Sequence, residues 1–296
     1  MKAILILLMS VAAVVGQQPK PLQEMLDKTV AATFEKFLEL KKDELAITAV
    51  DLKERGHPQT ANYRGDAPIY PASVVKLFYL EAAHRWMEDG KLKESEELRR
   101  AMKDMIVLSV NEATHYVVDA LTETTSGPEL AAAEMENWAE KRNAVNRYFK
   151  TRGFEKINVN QKPWCEGPYG RDRIFVGQSY TNRNMLTTDA TAKLMLEIAT
   201  DAAVSPTRSR QMLELMARKL DAEGEGGQVK GFTGEGLAAG AKLWSKAGWT
   251  SSTRHDAALV QLPNGKRFIL VTFTVNHAND AGIIPFVAKT FSAALE

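Results

Sequence analysis

The chain has 296 residues, 45% of them hydrophobic and 25% charged, with a formal net charge of +1. Such a composition is that of a globular protein, and the length suits one large domain or two intimate ones. No run of five or six Lys or Arg residues stands anywhere, so nucleic acid and an anionic membrane surface are not expected partners.

In chain order the first feature is an address. Lys2 precedes an apolar run over 3–15 broken only by Ser10, and Val14 and Gly16 are small enough to sit before a cut. Residues 1–16 therefore read as a signal peptide cleaved near Gly16-Gln17. The alternative, a membrane anchor, needs roughly 20 apolar residues, more than this run supplies. A periplasmic or secreted protein is expected, with no stable membrane insertion after cleavage. Its lone cysteine, Cys165, cannot form an internal disulfide and is expected to be a small, partly buried thiol.

Residues 21–42 have helical spacing, with Leu22, Met25, Leu26, Val30, Phe34 and Leu38 on a common face. Residues 44–52 alternate and are rich in Ile, Val and Thr, which predicts a strand. Gly56, His57 and Pro58 mark a turn, and a second short strand is expected near 61–63. From 72 to about 204 the pattern is largely helical, over 73–88, 94–108, 111–121, 127–151 and 188–199. A Gly/Pro/Arg/Asn-rich stretch over 158–184 lacks periodicity, and loops of that length are usually functional. Strands return at 241–246, 256–262 and 267–275, with Pro263-Asn264-Gly265 as a hairpin signal, and an amphipathic helix closes the chain over 283–295. Helix and strands at both ends, helices between them, predict an α/β domain built from both termini with a helical domain inserted.

The sharpest chemical segment is Tyr70-Pro71-Ala72-Ser73-Val74-Val75-Lys76-Leu77-Phe78. Residues around Ser73 and Lys76 are apolar on nearly every face, so the helix they open is expected to be buried. Three residues apart, the two share one side, with Ser73 at the positive end of the helix dipole. A buried lysine gives up its charge more readily, and a neutral amine can take a proton from a serine hydroxyl. Taken alone, the same string is also what an N-cap serine followed by a surface lysine looks like. A second element, Ser109-Val110-Asn111, lies between two helical segments, and a third, Lys246-Ala247-Gly248, ends a probable strand. Each alone is also compatible with a cap or a strand end.

Together and in this order the three resemble the Ser-x-x-Lys, Ser-x-Asn and Lys-Thr-Gly set of class A β-lactamases and penicillin-binding proteins. The resemblance covers nearly the whole mature chain. It extends to the strand at 44–52, the helix opening at Thr187-Thr188-Asp189-Ala190 and the helix start at Arg208-Ser209-Arg210. It implies an α/β (α+β) fold of the β-lactamase/transpeptidase type, an antiparallel sheet flanked by terminal helices plus an inserted all-helical domain. Residues 17–296 would form this catalytic domain, with the α/β part over about 17–68 and 205–296 and the helical part over about 69–204.

The resemblance implies Ser73 as nucleophile, Lys76 as its activator and Ser109 as the proton relay to the leaving nitrogen. Asn111 would hold the substrate's amide side chain, and Lys246, with Gly248 beside it, would place positive charge near the substrate carboxylate. The oxyanion hole would use the backbone N–H groups of Ser73 and Thr250. Arg254 would be a further carboxylate anchor, or an ordinary surface arginine. Within Pro163-Trp164-Cys165-Glu166-Gly167-Pro168-Tyr169, Glu166 is the implied deacylating base, with Asp172 as its rival and an exposed loop glutamate as the alternative.

The pattern departs from the family in four places. Val110 stands where aspartate is usual, and Ala247 replaces the hydroxyl residue of the third motif. The connection from Ser73 to Ser109 is shorter than in β-lactamases, and that from Asn111 to Thr187 is longer. Gly177-Gln178-Ser179-Tyr180-Thr181 misses a nucleophile elbow because Thr181 replaces glycine, and His255-Asp256 has no serine to complete a triad. The five histidines show no metal-binding spacing, so neither metal nor cofactor is expected. The expected substrate is a small β-lactam or a cell-wall peptide. The functions left open are a β-lactamase-like hydrolase, a D-alanyl-D-alanine peptidase and a silent binding protein of the same fold.

Overall fold

A computed structural model describes residues 21–52, 58–164, 166–220 and 225–296. The signal-peptide reading over 1–16, the turn residues Gly56 and His57, and Cys165 lie outside the described residues.

The apolar stripe of the first segment forms α1 (Pro21–Lys36), which buries Leu22, Leu26 and Val30. The alternating run that follows becomes β1 (Leu45–Asp51), paired to β2 (Gln59–Tyr63). The three late strands are β4 (Lys242–Trp249), β5 (Thr253–Gln261) and β6 (Arg267–Val275), with a two-residue β3 (Ala217–Arg218) on the outer side of β4. All six make one antiparallel sheet in the order β2-β1-β6-β5-β4-β3. Both chain ends thus meet in one sheet, since β1 lies against β6 along its whole length.

The sheet is buried on both sides, which is why β5 and β6 read as nearly unbroken apolar runs. On one face α1 packs with α10 (Ile283–Leu295) over Ile47, Ala49, Val260 and Leu270. On the other lies the larger core, where Ala46, Val50, Leu259 and Val271 meet the helices. Those helices are α2 (Lys76–Glu88), α3 (Glu96–Lys103), α4 (Asn111–Thr122), α5 (Ala132–Arg142) and α6 (Ala144–Thr151), followed by α7 (Gly170–Val176), α8 (Thr188–Ala199) and α9 (Pro206–Met216). The helix opened by Ser73 and Lys76 is buried as its composition requires: α2 encloses Lys76 to His84 without a break. The terminal-helix layer, antiparallel sheet and helical layer are the architecture expected from the sequence. No helix among the described residues is long and apolar enough to cross a membrane.

Two local departures bear on the site. The segment expected as one helix over 94–108 becomes α3 followed by a π-turn, Asp104–Leu108, because the backbone turns left-handed at Ser109 (φ 59°). The long aperiodic stretch holds one short helix, α7, and is otherwise ordered by polar contacts rather than by an apolar stripe. Asn184 shows how: its Oδ1 accepts the N–H groups of Asn160 and Gln161 at 3.0 and 2.9 Å, and its Nδ2 donates to Gln161 O at 2.7 Å.

Candidate active site

Ser73 sits in a 3₁₀ turn, Ala72–Val75, that runs directly into α2. Ala72 has φ 46°, a left-handed conformation disfavoured for a residue with a Cβ, so surrounding contacts must hold it there. Two contacts from the sheet do so. His255, fully buried on β5, donates from Nε2 to Tyr70 O at 2.9 Å while its Nδ1 accepts the Thr274 N–H at 3.1 Å. A backbone N–H can only donate, so the proton resides on Nε2 and the ring is neutral; burial pushes its pKa down to about 4. The second contact is Gly248, which faces His255 across the β4–β5 pair. A Cβ there would lie 2.7 Å from Ser73 N and 2.9 Å from both Pro71 O and Val74 N. Only glycine lets the strand approach the nucleophile turn this closely.

Lys76 and Lys246 come from opposite sides of the sheet–helix boundary and are both fully buried. The Lys76 Nζ donates to Ser109 O at 2.6 Å and to Asn111 Oδ1 at 2.8 Å, and it lies 3.3 Å from Ser109 Oγ. From the strand, Lys246 Nζ donates to Ser109 Oγ at 3.0 Å, to Gln228 Oε1 at 2.6 Å and to Ala247 O at 2.7 Å. One serine hydroxyl is therefore held between two lysine amines. Burial depresses the Lys246 pKa well below its usual range, and the nearby charges of Lys76 and Arg218 push the same way against Asp256. A lysine so placed releases a proton easily. The left-handed backbone at Ser109 turns its hydroxyl and its carbonyl toward this cluster, and Asn111 enters it at the start of α4.

Ser73, Lys76, Ser109, Asn111, Lys246 and Gly248 are thus gathered at the junction of β4 with the helical layer. Thr250 is placed differently. Its N–H closes the β4–β5 turn on Thr253 O at 2.9 Å, and its Oγ1 accepts the N–H groups of Ser252 and Thr253. That commitment corrects the expectation of Thr250 as an oxyanion donor. With Thr250 bonded to Thr253, strand alternation turns the N–H groups of Trp249 and Ala247 away from β5. The Ala247 N–H accordingly reaches Gln228 Oε1 at 3.0 Å, and that of Trp249 is the next in the same direction.

Arg254 is likewise not among the gathered residues. It pairs with Trp249, one residue out of phase with the Gly248–His255 pair and three from Lys246, so its side chain leaves the sheet on the face opposite Lys246. There its guanidinium lies 4.8 Å from the Phe232 ring centre and its Nε donates to Ala278 O at 3.0 Å. Phe232 in turn packs on Trp249 at 5.6 Å between ring centres and buries Ala247, filling the space beside the missing hydroxyl.

The loop that carries Glu166 docks on α4. His115, one turn along from Asn111, donates from Nε2 to Pro163 O at 2.6 Å and packs against Trp164 at 4.3 Å. Beneath the loop, buried Lys162 bonds Asp119 at 2.7 Å and Ser126 Oγ at 2.9 Å. Buried Arg142 bonds Asp172 at 2.9 Å. Asp172 is therefore a structural anchor, which removes it as a rival base. Glu166 is exposed, and its carboxylate has no hydrogen-bond partner among the described residues.

Gln228, His115 and Trp249 all bear on the site and carry no motif, and His255 bears on it by bonding Tyr70 O and the Thr274 N–H rather than as part of a His255-Asp256 triad. Gln228 stands in a glycine-rich segment without periodicity, and its importance arises only from contacts distant in sequence.

An antiparallel sheet between two helical layers, with a serine at the head of a buried helix and a lysine–serine–lysine cluster beside it, defines a protein of the serine β-lactamase-like or penicillin-binding-protein-like kind. The chain belongs to the beta-lactamase enzyme family, whose description matches residues 26–293. Among solved structures it is similar to a mutant of PBP-A in acyl-enzyme complex with penicillin G, at 19% identity and a TM-score of 0.68, over 93% of this chain and 97% of that one. It is also similar to a β-lactamase from Xanthomonas campestris, at 14% identity and a TM-score of 0.67, over 93% and 99% of the two chains. A class A β-lactamase of the last common ancestor of Gram-negative bacteria matches at 17% identity and a TM-score of 0.63, over 94% and 100%. No curated protein matches this sequence.

Proposed function

We propose that this protein opens the amide of a β-lactam through an acyl-enzyme on Ser73. The observation that carries the reading is the Ser109 hydroxyl held between the amines of Lys76 and Lys246, at 3.3 and 3.0 Å, with Lys76 one turn along the chain from Ser73.

In this reading Lys76, with its amine unprotonated, takes the Ser73 proton as Oγ attacks the lactam carbonyl. The N–H groups of Ser73 and Trp249 receive the developing oxyanion. Lys76 becomes cationic, and its charge raises the tendency of Lys246 to give up a proton. The C–N bond then breaks as the Ser109 hydroxyl donates to the leaving nitrogen, and Lys246 returns a proton to Ser109. Asn111 orients the substrate amide, and Lys246 adds positive charge toward an acidic substrate. Glu166 takes a proton from the water that attacks the acyl carbonyl and passes it to the departing Ser73 Oγ, and the proton left on Lys76 returns through the Ser109 hydroxyl to Lys246, which restores both amines.

A penicillin-binding-type D-alanyl-D-alanine peptidase is the second reading. The exposed Glu166 favours it, because a carboxylate left in solvent is a weak activator of a water held at the acyl bond. Intact-mass measurement after incubation with penicillins and cephalosporins separates the two. Rapid turnover without a mass increase, lost in Ser73→Ala, supports the first; a stable adduct on Ser73 supports the second. No turnover and no adduct would refute both. Export to the periplasm or beyond, the reading of residues 1–16, is tested by N-terminal sequencing of the mature protein.

A further inference from the structure

Gln228 is completely buried and every hydrogen-bonding position of its carboxamide is used. Its Oε1 accepts Lys246 Nζ at 2.6 Å and the Ala247 N–H at 3.0 Å. Its Nε2 donates to Ile106 O at 3.0 Å and to Val107 O at 2.8 Å. Donors meet the oxygen and acceptors meet the nitrogen, so the amide has only one orientation consistent with its neighbours. Ile106 and Val107 lie in the turn that ends immediately before Ser109. One side chain therefore joins the strand that carries Lys246 to the turn that presents Ser109.

We propose that Gln228 is a positioning residue for acyl transfer: it sets the separation of Lys246 from Ser109 and gives that lysine an uncharged acceptor. The proposal rests on the reading of Ser73 as an acylated nucleophile for its kinetic consequence, and on geometry alone for its placement of Lys246. No other side chain supplies this combination. A carboxylate would meet the two carbonyls with oxygen, and an aliphatic chain would take one partner away from each of four polar groups. Two further features reinforce the same junction. Arg218 Nη2 spans it in parallel, bonding Ile106 O at 3.0 Å and Ser245 O at 2.8 Å. A Cβ on Gly226 would strike Val107 O and approach Leu108 Cα to 3.0 Å, so the segment before Gln228 presses directly on the turn.

The charge of the acceptor matters because of what surrounds Lys246. Lys76 on α2 and Arg218 on β3 both disfavour its protonated form, and Asp256 on β5 favours it. Asp256 accepts the Thr233 N–H at 3.0 Å and is itself driven up to about 6 by burial. The acceptors in direct contact with Lys246, Ser109 Oγ, Gln228 Oε1 and Ala247 O, are neutral. A carboxylate in place of the amide would hold the proton on Lys246.

The test uses the full protein with Gln228→Glu and Gln228→Met. Lysine Nζ signals are followed by ¹⁵N NMR against pH, with Lys246 assigned through Lys246→Arg, and acylation is timed with a fluorescent penicillin. Gln228→Glu is expected to move the Lys246 titration, and the limb of the acylation profile that follows it, upward by about one pH unit or more. Gln228→Met, which keeps size and removes the tie, is expected to slow acylation by about tenfold or more while folding is retained. An unmoved Lys246 titration in Gln228→Glu, or acylation within twofold of the parent in Gln228→Met with an unchanged profile, would overturn the proposal. If the parent protein is not acylated, the Ser73 reading fails, and the NMR titration still decides the placement of Lys246. If Gln228→Glu does not fold, the Lys246 signal in Gln228→Met decides, since loss of the tie must shift it.

Discussion

Lys246 donates from Nζ to the Ser109 hydroxyl across 3.0 Å, joining a strand residue to a turn that lies far away in sequence. The bond leaves the Ser109 proton free to point away from the strand, toward whatever accepts it. A lysine depressed by burial behind a serine is a proton source that costs little to discharge.

Ser109→Ala removes that relay without disturbing the fold, because alanine and serine share the same left-handed backbone penalty. Acylation is expected to slow by about 10²–10⁴-fold, the range of a lost general acid or base. Stopped-flow acylation beside a melting curve checks it, with the melting temperature expected to stay within a few degrees.

Gly248→Ala introduces a Cβ 2.7 Å from Ser73 N, against backbone that cannot swing aside. Either β4 or the nucleophile turn must shift, at a cost of about 1–3 kcal/mol. Acylation is expected to fall by about 10²-fold or more, since misplacement by a fraction of an ångström suffices. Urea denaturation and adduct formation measured together separate the two effects.

His255 ties pH to both stability and site geometry. Its folded pKa is depressed to about 4 from an ordinary 6.5. The unfolded chain therefore binds the proton first, and stability present above about 6.5 is lost as pH falls through about 4. The loss amounts to at most roughly 3 kcal/mol. His84, also driven down to about 4 by burial, adds to the same window. Urea denaturation at pH 7, 5.5 and 4.5 is expected to show the decline, and His255→Gln to flatten it, leaving the contribution of His84.

Arg142 and Asp172 form a buried ion pair beneath the loop of Glu166. Arg142→Leu strands the Asp172 carboxylate and is expected to cost about 3–5 kcal/mol. The double variant Arg142→Leu, Asp172→Leu is expected to recover much of that loss, because the unpaired charge is gone. Limited proteolysis of the 158–172 segment, with melting curves, reads both outcomes.

Much of the fold was legible because it rests on local periodicity. The apolar run of 267–275 and the stripe of 283–295 became β6 and α10 with the same bounds, since the first records burial on both faces and the second burial on one. The apolar surround of Ser73 and Lys76 announced a buried helix for the same reason. The stretch over 158–184 was opaque, as its order comes from side-chain amides and charges such as Asn184, Lys162 and Arg142 bonding to distant partners.

By itself the sequence determined the strands, the buried α2 and the three motifs in their order, because those features are written in neighbouring residues. Only the tertiary structure decided that Lys246 reaches Ser109, that Gln228 braces the pair, that Gly248 meets the Ser73 turn and that Glu166 stands in solvent. Each of these is set by contacts between segments remote in the chain, where packing and strand register choose the partner and no local pattern records the choice.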